Sequence, residues 1–377
     1  MKKTLLILLL LNFVFFDSFA QQSNQTLPVD GVTRNYIKYL PTNFNQGLEK
    51  LPLIIVLHGL GGNASGMTGA GFRTVADTAR AIIVYPNGTP NAFGQNGWAN
   101  ETLLESQGVD DVKFINLLID EMKSTHDIDL TKVYIAGLSM GGIMTYKLVC
   151  ELSHRIAAAA SMTGTVATNV KNNCDEIFKT PFIHWHGTAD QTVPYENNPL
   201  PSLETVPSTI NMMKNLNQCD MSDSTIIPIP DIRNDGITVD RIVYNCQSAL
   251  ELWRFNGGGH DWFRNPNNDV DGATEFWNFF RQFSRADAPP TTSNLSEIDS
   301  KINLYPNPVN SNQNFVIDGE VALERLIITN FEGKIIVDEV FRGMIYNYHF
   351  SLNKSGLYII SLFDNNGGFQ TKKLIVN

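Results

Sequence analysis

The chain has 377 residues, of which 43% are apolar and 18% charged, and its formal net charge is −10. That length exceeds what one hydrophobic core commonly serves, so one large and one small domain are expected. The acidic balance repels phosphate backbones and argues against nucleic acid as a partner.

At the start, Lys2 and Lys3 precede the apolar run TLLILLLLNFVFF, and SFA stands before Gln21. A positive start, an apolar core and small residues two positions apart mark residues 1–20 as a cleaved export signal. The run is short for a bilayer span of about 20 residues and contains Asn12, which argues against a membrane anchor. No cysteine stands near the cleavage point to carry lipid. No later apolar run is long enough to cross a bilayer, so the mature chain is expected to lack a transmembrane segment.

Residues 21–284 are expected to form an α/β domain. LPLIIVLHG and AIIVYPNG are continuous apolar runs ending at Gly or Pro, the pattern of parallel strands buried on both faces. VDDVKFINLLIDEMKS has helical spacing, with Asp110 or Asp111 available as its N-cap. KVYIAG, AAAAS, PFIHWHG and ALELWRFNGGG continue the strands, and the alternation predicts a mostly parallel, doubly wound sheet.

Between KVYIAG and the helical pattern GIMTYKLVCEL lies Ser139, framed by Gly137 and Gly141 as GxSxG. A hydroxyl becomes a useful nucleophile when a tight turn projects it towards a base and amide donors, and a strand-to-helix corner does this. The bland reading is a structural serine in a turn. A hydrolase of this design places its acid and then its histidine later in the chain.

Asp190 follows the strand PFIHWHG, at the carboxyl end where open α/β sheets gather functional groups. An Asx turn is the structural alternative there. Asp175, Glu196 and Asp220 lack such a strand directly before them. Only His260 lies between Asp190 and residue 285; it follows three glycines, expected to form a loop flexible enough to bring the imidazole back over the sheet.

Earlier, LHGLGGN offers backbone amides on a glycine-rich turn, and the amides of Leu60 and Met140 are the expected oxyanion donors. No Lys follows these glycines as in a phosphate-binding loop. His58 is expected to brace this turn. Trp98, Trp185 and Trp262 stand near the expected site and are candidates to stack on an aromatic acyl group or a sugar, with simple packing the commoner role of such residues. This chemistry requires no metal or organic cofactor.

Cys150, Cys174, Cys219 and Cys246 allow three pairings. Export makes disulfides plausible, and the sequential pairs Cys150–Cys174 and Cys219–Cys246 close the two shortest separate loops. Without CxxC spacing, zinc has no support.

RADAPPTTSNLSEIDS, residues 285–300, reads as an extended linker. Residues 301–377 hold short strands separated by turn residues, the pattern of a small β-sandwich. A carbohydrate-binding module fits that composition too.

LHGLGG, YPNG, GVDDVKFI, GLSMGG, HGTADQTVPY and GGGHDW occur in the order found in the polyhydroxybutyrate depolymerase family, α/β-hydrolases related to feruloyl and acetylxylan esterases. The resemblance covers about residues 32–284. It implies Ser139 as nucleophile, His260 as general base and acid, and Asp190 as its orienter. The family often has a proline after the Trp of HDW, where this chain has Phe263, so the acyl-pocket rim differs. LYPNPVN, LIITNFEGKII, SGLYIISL and KKLIVN resemble a type A sorting domain of the type IX secretion system. That resemblance implies passage through the outer membrane by this machinery, then release or surface attachment. An ester on plant polysaccharide is the expected substrate. Polyester, a peptide bond, and a non-catalytic polymer-binding role are the alternatives.

Overall fold

A computed structural model describes residues 21–44, 46–47, 49–174, 178–197, 202–285, 302–330, 335–364 and 369–377. The expected export signal, the expected linker beyond Arg285, and Asp175 lie outside the described residues.

The chain opens with an antiparallel hairpin, β1 (Gln22–Val29) and β2 (Val32–Tyr39). There follow β3 (Leu53–Leu57), α1 (Ala64–Met67), α2 (Phe72–Ala79), β4 (Ile82–Pro86) and the short pair β5 (Thr89–Pro90) and β6 (Asn96–Gly97). The next elements are α3 (Asp111–His126), β7 (Val133–Leu138), α4 (Met140–Leu152), β8 (Ala158–Met162), α5 (Thr168–Asn172) and β9 (Phe182–Gly187). The first region closes with α6 (Val206–Leu216), β10 (Cys219–Ile229), β11 (Thr238–Cys246), β12 (Leu250–Asn256) and α7 (Gly272–Phe280).

Ten of these strands form one sheet in the order β1-β2-β4-β3-β7-β8-β9-β12-β11-β10. From β4 to β12 neighbouring strands are parallel; the flanks are antiparallel. The expected apolar runs therefore became the parallel centre, buried at every position in β3, β4, β8 and β9. Alternating residues serve opposite faces. Leu53, Ile55 and Leu57 join the core with α3, α4 and α6, whereas Ile54 and Val56 join the core with α1, α2 and α7. In β9 this parity sends His184 and His186 to the side of Phe182 and α4, and Trp185 to the side of α7.

Helix α3 begins as its sequence requires. The Asp110 side chain caps it by accepting the Lys113 amide at 2.8 Å. Asp111 is instead buried and bonds both Arg34 of β2, at 2.5 Å, and the Ala99 amide, at 2.7 Å. A charge this deep persists because its partner and its hydrogen bonds are in place.

Disulfides join Cys150 with Cys174 and Cys219 with Cys246. No helix among the described residues is long and apolar enough to cross a membrane.

A separate antiparallel sheet holds β13 (Asn303–Tyr305), β14 (Asn314–Asn330), β15 (Ile335–Ser351), β16 (Gly356–Asp364) and β17 (Phe369–Val376). β14 is 17 residues long, where short strands are expected. Its pairing with β15 shifts register between Asp318 and Val321; the first half then borders β13 and the second β16. Phe315 and Ile317 of the first half share a core with Leu326, Ile328, Ile360 and Leu374.

Candidate active site

Ser139 stands between β7 and α4 with φ 54° and ψ −118°, in the left-handed region that non-glycine residues avoid. Its amide donates to Met162 O (2.8 Å), and its carbonyl accepts the Ile143 amide (2.9 Å). The flanking glycines are needed for closeness: a Cβ on Gly137 would lie 2.1 Å from Gly141 O, and one on Gly141 would lie 2.5 Å from Leu57 O. The cramped corner therefore fixes both the serine and the start of α4 against β3.

Asp190 and His260 leave the carboxyl ends of β9 and β12, which are neighbours in the sheet. Their side chains meet, with His260 Nδ1 2.7 Å from Asp190 Oδ2. Asp190 Oδ1 accepts the amides of Thr192 (2.8 Å) and Val193 (2.9 Å). Burial alone would raise the Asp190 carboxyl, but hydrogen bonds from His186, His260 and the Val193 amide outweigh it and hold the carboxyl well below the usual range. It therefore stays an anion facing the imidazole.

The three glycines before His260 do not act through flexibility. Gly258 is buried, its carbonyl accepts the Ala189 amide (2.9 Å), and the Gly257 amide donates to Thr188 Oγ1 (2.9 Å). A Cβ on Gly187 would lie 2.2 Å from Gly258 O. Close approach of the Asp190 and His260 loops is what excludes larger residues.

Ser139, Leu60 and Met140 line one cleft with Thr102, Leu103, Leu104, Ile143, Thr192, Val193, Ser202 and Leu203. Most of these residues are apolar, and Thr192 and Val193 are the residues whose amides hold Asp190. Among the described residues, neither the Leu60 nor the Met140 amide has a protein acceptor. Their N–H groups are thus available to a ligand beside Ser139.

The Leu60 turn is rigid. His58 Nε2 accepts the Gly88 amide (2.9 Å), so the ring proton sits on Nδ1 and donates to Gly59 O (2.7 Å). Burial lowers the His58 pKa, consistent with a neutral brace. Gly61 N–H donates to Asn96 O (2.7 Å), and Asn96 Nδ2 donates to Gly62 O (3.2 Å).

The expectation for the tryptophans is corrected. Trp98 and Trp185 are fully buried, and Trp262 is 9% exposed. Trp98 Nε1 donates to His58 O (2.8 Å), so its indole supports the glycine-rich turn from beneath. Trp185 stacks on Trp253 at 4.8 Å, and Trp262 Nε1 donates to Ala70 O (3.0 Å). Residue type suggested stacking surfaces; burial and pairing make all three parts of the core.

Sequence reasoning missed the pair His184 and His186, which touches the acid: His186 Nε2 is 3.3 Å from Asp190 Oδ2. The signal was available in HWHG, because residues two apart on a strand share a face. Of the weaker acids, Asp220 and Glu196 are exposed. Asp231, Asp235 and Asp269 gather oxygens within 4.8 Å of one another, but each accepts nearby amides: Asp269 from Ile232 and Arg233, Asp231 from Asn234, and Asp235 from Ile237.

Parallel strands that deliver a serine corner, an acid and a histidine to one end of the sheet, in that chain order, define an α/β-hydrolase. Residues 44–203 match the family model described as Phospholipase/Carboxylesterase. Residues 303–377 match the secretion system C-terminal sorting domain, which marks the chain for secretion or cell-surface attachment. The chain is 30% identical over 167 residues to a bifunctional acetylxylan esterase/xylanase of Neocallimastix patriciarum, covering 44% of this chain and 23% of that protein. It is 28% identical over 258 residues to feruloyl esterase B of Piromyces equi, covering 67% and 45%. The chain thus spans less than half the length of either relative. Acetyl xylan esterase from Aspergillus awamori shares the fold, with a TM-score of 0.50 at 16% identity, over 69% of this chain and 99% of that one.

Proposed function

We propose that the chain is a secreted serine esterase that hydrolyses feruloyl or acetyl esters on plant polysaccharide. The observation that carries this reading is the buried Asp190 carboxylate bonded to His260 at 2.7 Å, beside the cleft that holds the left-handed Ser139 corner. In this mechanism His260 takes the Ser139 proton as Oγ attacks the ester carbonyl. The tetrahedral oxyanion accepts the Leu60 and Met140 N–H groups. His260 then gives its proton to the leaving alcohol, and a water repeats the sequence to release the acid and restore Ser139. Asp190 holds the imidazole tautomer and stabilises the imidazolium.

The apolar lining of the cleft supports an acyl group that sheds water on binding. The likeness to a feruloyl esterase and to an acetylxylan esterase supports the substrate class. The sorting-domain match supports export by the type IX machinery.

The test is release of 4-nitrophenol from 4-nitrophenyl acetate and butyrate by the full chain and by Ser139→Ala. The variant should lose about a thousandfold or more in kcat while remaining folded. Equal activity in the two would remove Ser139 from the chemistry. With activity in hand, a feruloylated oligosaccharide should be hydrolysed faster than short polyhydroxybutyrate oligomers, and the reverse ranking moves the substrate to polyester. Deletion of residues 301–377 should leave the esterase inside the cell. Normal secretion with loss of polymer binding would instead identify a carbohydrate-binding tail.

A further inference from the structure

We propose that His186, backed by His184 and Tyr146, is a positioning residue that locks the Asp190 carboxylate in the orientation facing His260. The inference rests on the Ser139, Asp190 and His260 reading.

The chain of bonds has one consistent direction. Val193 O, a carbonyl that only accepts, lies 2.7 Å from His186 Nε2, so that nitrogen carries the ring proton. The same side of the ring faces Asp190 Oδ2 at 3.3 Å. His186 Nδ1 is then bare and accepts from His184 Nε2 at 3.2 Å. That leaves His184 Nδ1 bare, and the Tyr146 hydroxyl donates to it at 2.7 Å. Tyr146, His184 and His186 are all fully buried, and Asp190 is 3% exposed. Burial keeps His184 neutral and Tyr146 protonated, the forms this direction requires. The edge of Tyr195, with ring centroids 5.9 Å apart, closes another side of His186.

Oδ1 takes the Thr192 and Val193 amides, and Oδ2 takes His260. The His186 Nε2 proton, given chiefly to Val193 O, reaches Oδ2 only as the longer branch of a shared contact at 3.3 Å. Rotating the carboxylate away from His260 would break several of these bonds together. His186 also grips the carbonyl of Val193, whose amide holds Oδ1, and so fixes the turn as well as the acid. Tyr146 lies on α4, the helix that starts at the Ser139 corner. The bonds therefore tie the serine's helix to the acid through the core.

Two experiments test this. In the full chain labelled with 15N-histidine, two-bond 1H–15N correlations at pH 7 should show His184 and His186 as Nε2–H tautomers and His58 as Nδ1–H. A proton on His186 Nδ1 overturns the proposal, and this measurement needs no variant that folds. In kinetics, His186→Leu should lower kcat about 10–100-fold, the loss expected for one hydrogen bond to a charged group, with KM changed less than about threefold. Tyr146→Phe should cost about 2–10-fold, as for a neutral bond. His186→Gln, which keeps an N–H near the Nε2 position, should recover most of kcat. A role in packing alone would lower the melting temperature of His186→Leu and leave kcat at wild-type level below that temperature, and that result overturns the proposal. Ser139→Ala run alongside separates the two readings. If it stays active, the triad falls and takes this inference with it. If it is inactive while folded His186→Leu keeps full kcat, only the inference falls.

Discussion

Strand β9, in the parallel centre, is buried along its whole length, whereas β10, at the edge of the same sheet, is exposed at almost every position. The acid, the histidine pair and the serine corner all depend on central strands, and the flanks supply no member of the proposed triad. A residue in the centre answers to two packed faces, so its side chain can be held to a narrow geometry. A residue at the edge answers to one neighbour strand and water. The informative places lie where the two regions meet, and there β2 reaches α3 twice: Arg34 to Asp111, and Lys38 to His126.

The largest effect is expected at the first of these contacts. Asp111→Ala would leave the buried Arg34 guanidinium without its counter-charge and the Ala99 amide without its acceptor. A loss of about 3–5 kcal/mol is expected in the denaturant midpoint. A loss within about 0.5 kcal/mol would mean that water reaches Arg34 and that the flank is not integral to the centre.

The second prediction belongs wholly to the edge. Replacing Cys219 and Cys246 together by alanine opens the link across β10 and β11. The unfolded chain then gains freedom worth about 3 kcal/mol. Ester hydrolysis at 25 °C should be unchanged, because no cleft residue lies on either strand. A fall in kcat matching the fall in stability would erase the contrast between edge and centre.

How much of this was legible in the sequence follows the same division. LIIVL, IIVYP, VYIAGL and FIHWHG read as strands because two-sided burial demands unbroken apolar runs. QSNQTLPV and CDMSDSTIIPI went unread because edge strands facing water carry Ser, Asn and Asp, which resemble loops. Ser139, Asp190 and His260, the proposed triad, were chosen from chain order and from the turns around them, and of these the Asp190–His260 contact is seen in the fold. Of the two readings open for the tryptophans, stacking on a ligand and core packing, burial favours packing, which residue type alone does not announce. Parity would have corrected Trp185: it sits between His184 and His186, so it must point away from whatever they serve. No comparable signal marked Arg34 and Asp111, which stand 77 residues apart and meet only when β2 is laid against α3.

A smaller effect is expected from pH at the second contact. Lys38 Nζ lies 2.8 Å from His126 Nε2, an arrangement that needs a bare ring nitrogen, and burial followed by the Lys38 charge lowers the His126 pKa to about 4. His154 is lowered to about 4 as well, by burial and then by Arg155 and Arg285. Below about 6.5 the unfolded chain binds protons that these folded imidazoles refuse, so stability falls as pH drops from about 6.5 towards 4. Each histidine contributes at most about 2 kcal/mol between pH 7 and pH 5, less where solvent screens the charge. Melting temperatures across that range should fall, and His126→Gln should flatten part of the slope. The Asp190 carboxyl, held below its ordinary value, loses its own contribution only at still lower pH, so the two windows are separable. An unchanged slope in His126→Gln would mean that Lys38 and His126 part in solution.

The smallest effect should come from the exposed face of β10. Ile226 is 56% exposed and pairs through its backbone with Ile242 of β11. Threonine keeps the branched Cβ that suits a strand and replaces the ethyl branch with a hydroxyl. Ile226→Thr should therefore stay within about 0.5 kcal/mol of the wild type in stability and leave kcat unaltered. A loss several times larger would mean that Ile226 is covered in solution, because only burial gives an exposed isoleucine so much to lose. In that case repeating the measurement over a range of protein concentrations separates the sources. A loss that grows with concentration belongs to an edge joined to another chain, and one independent of concentration belongs to this chain folding over its own edge.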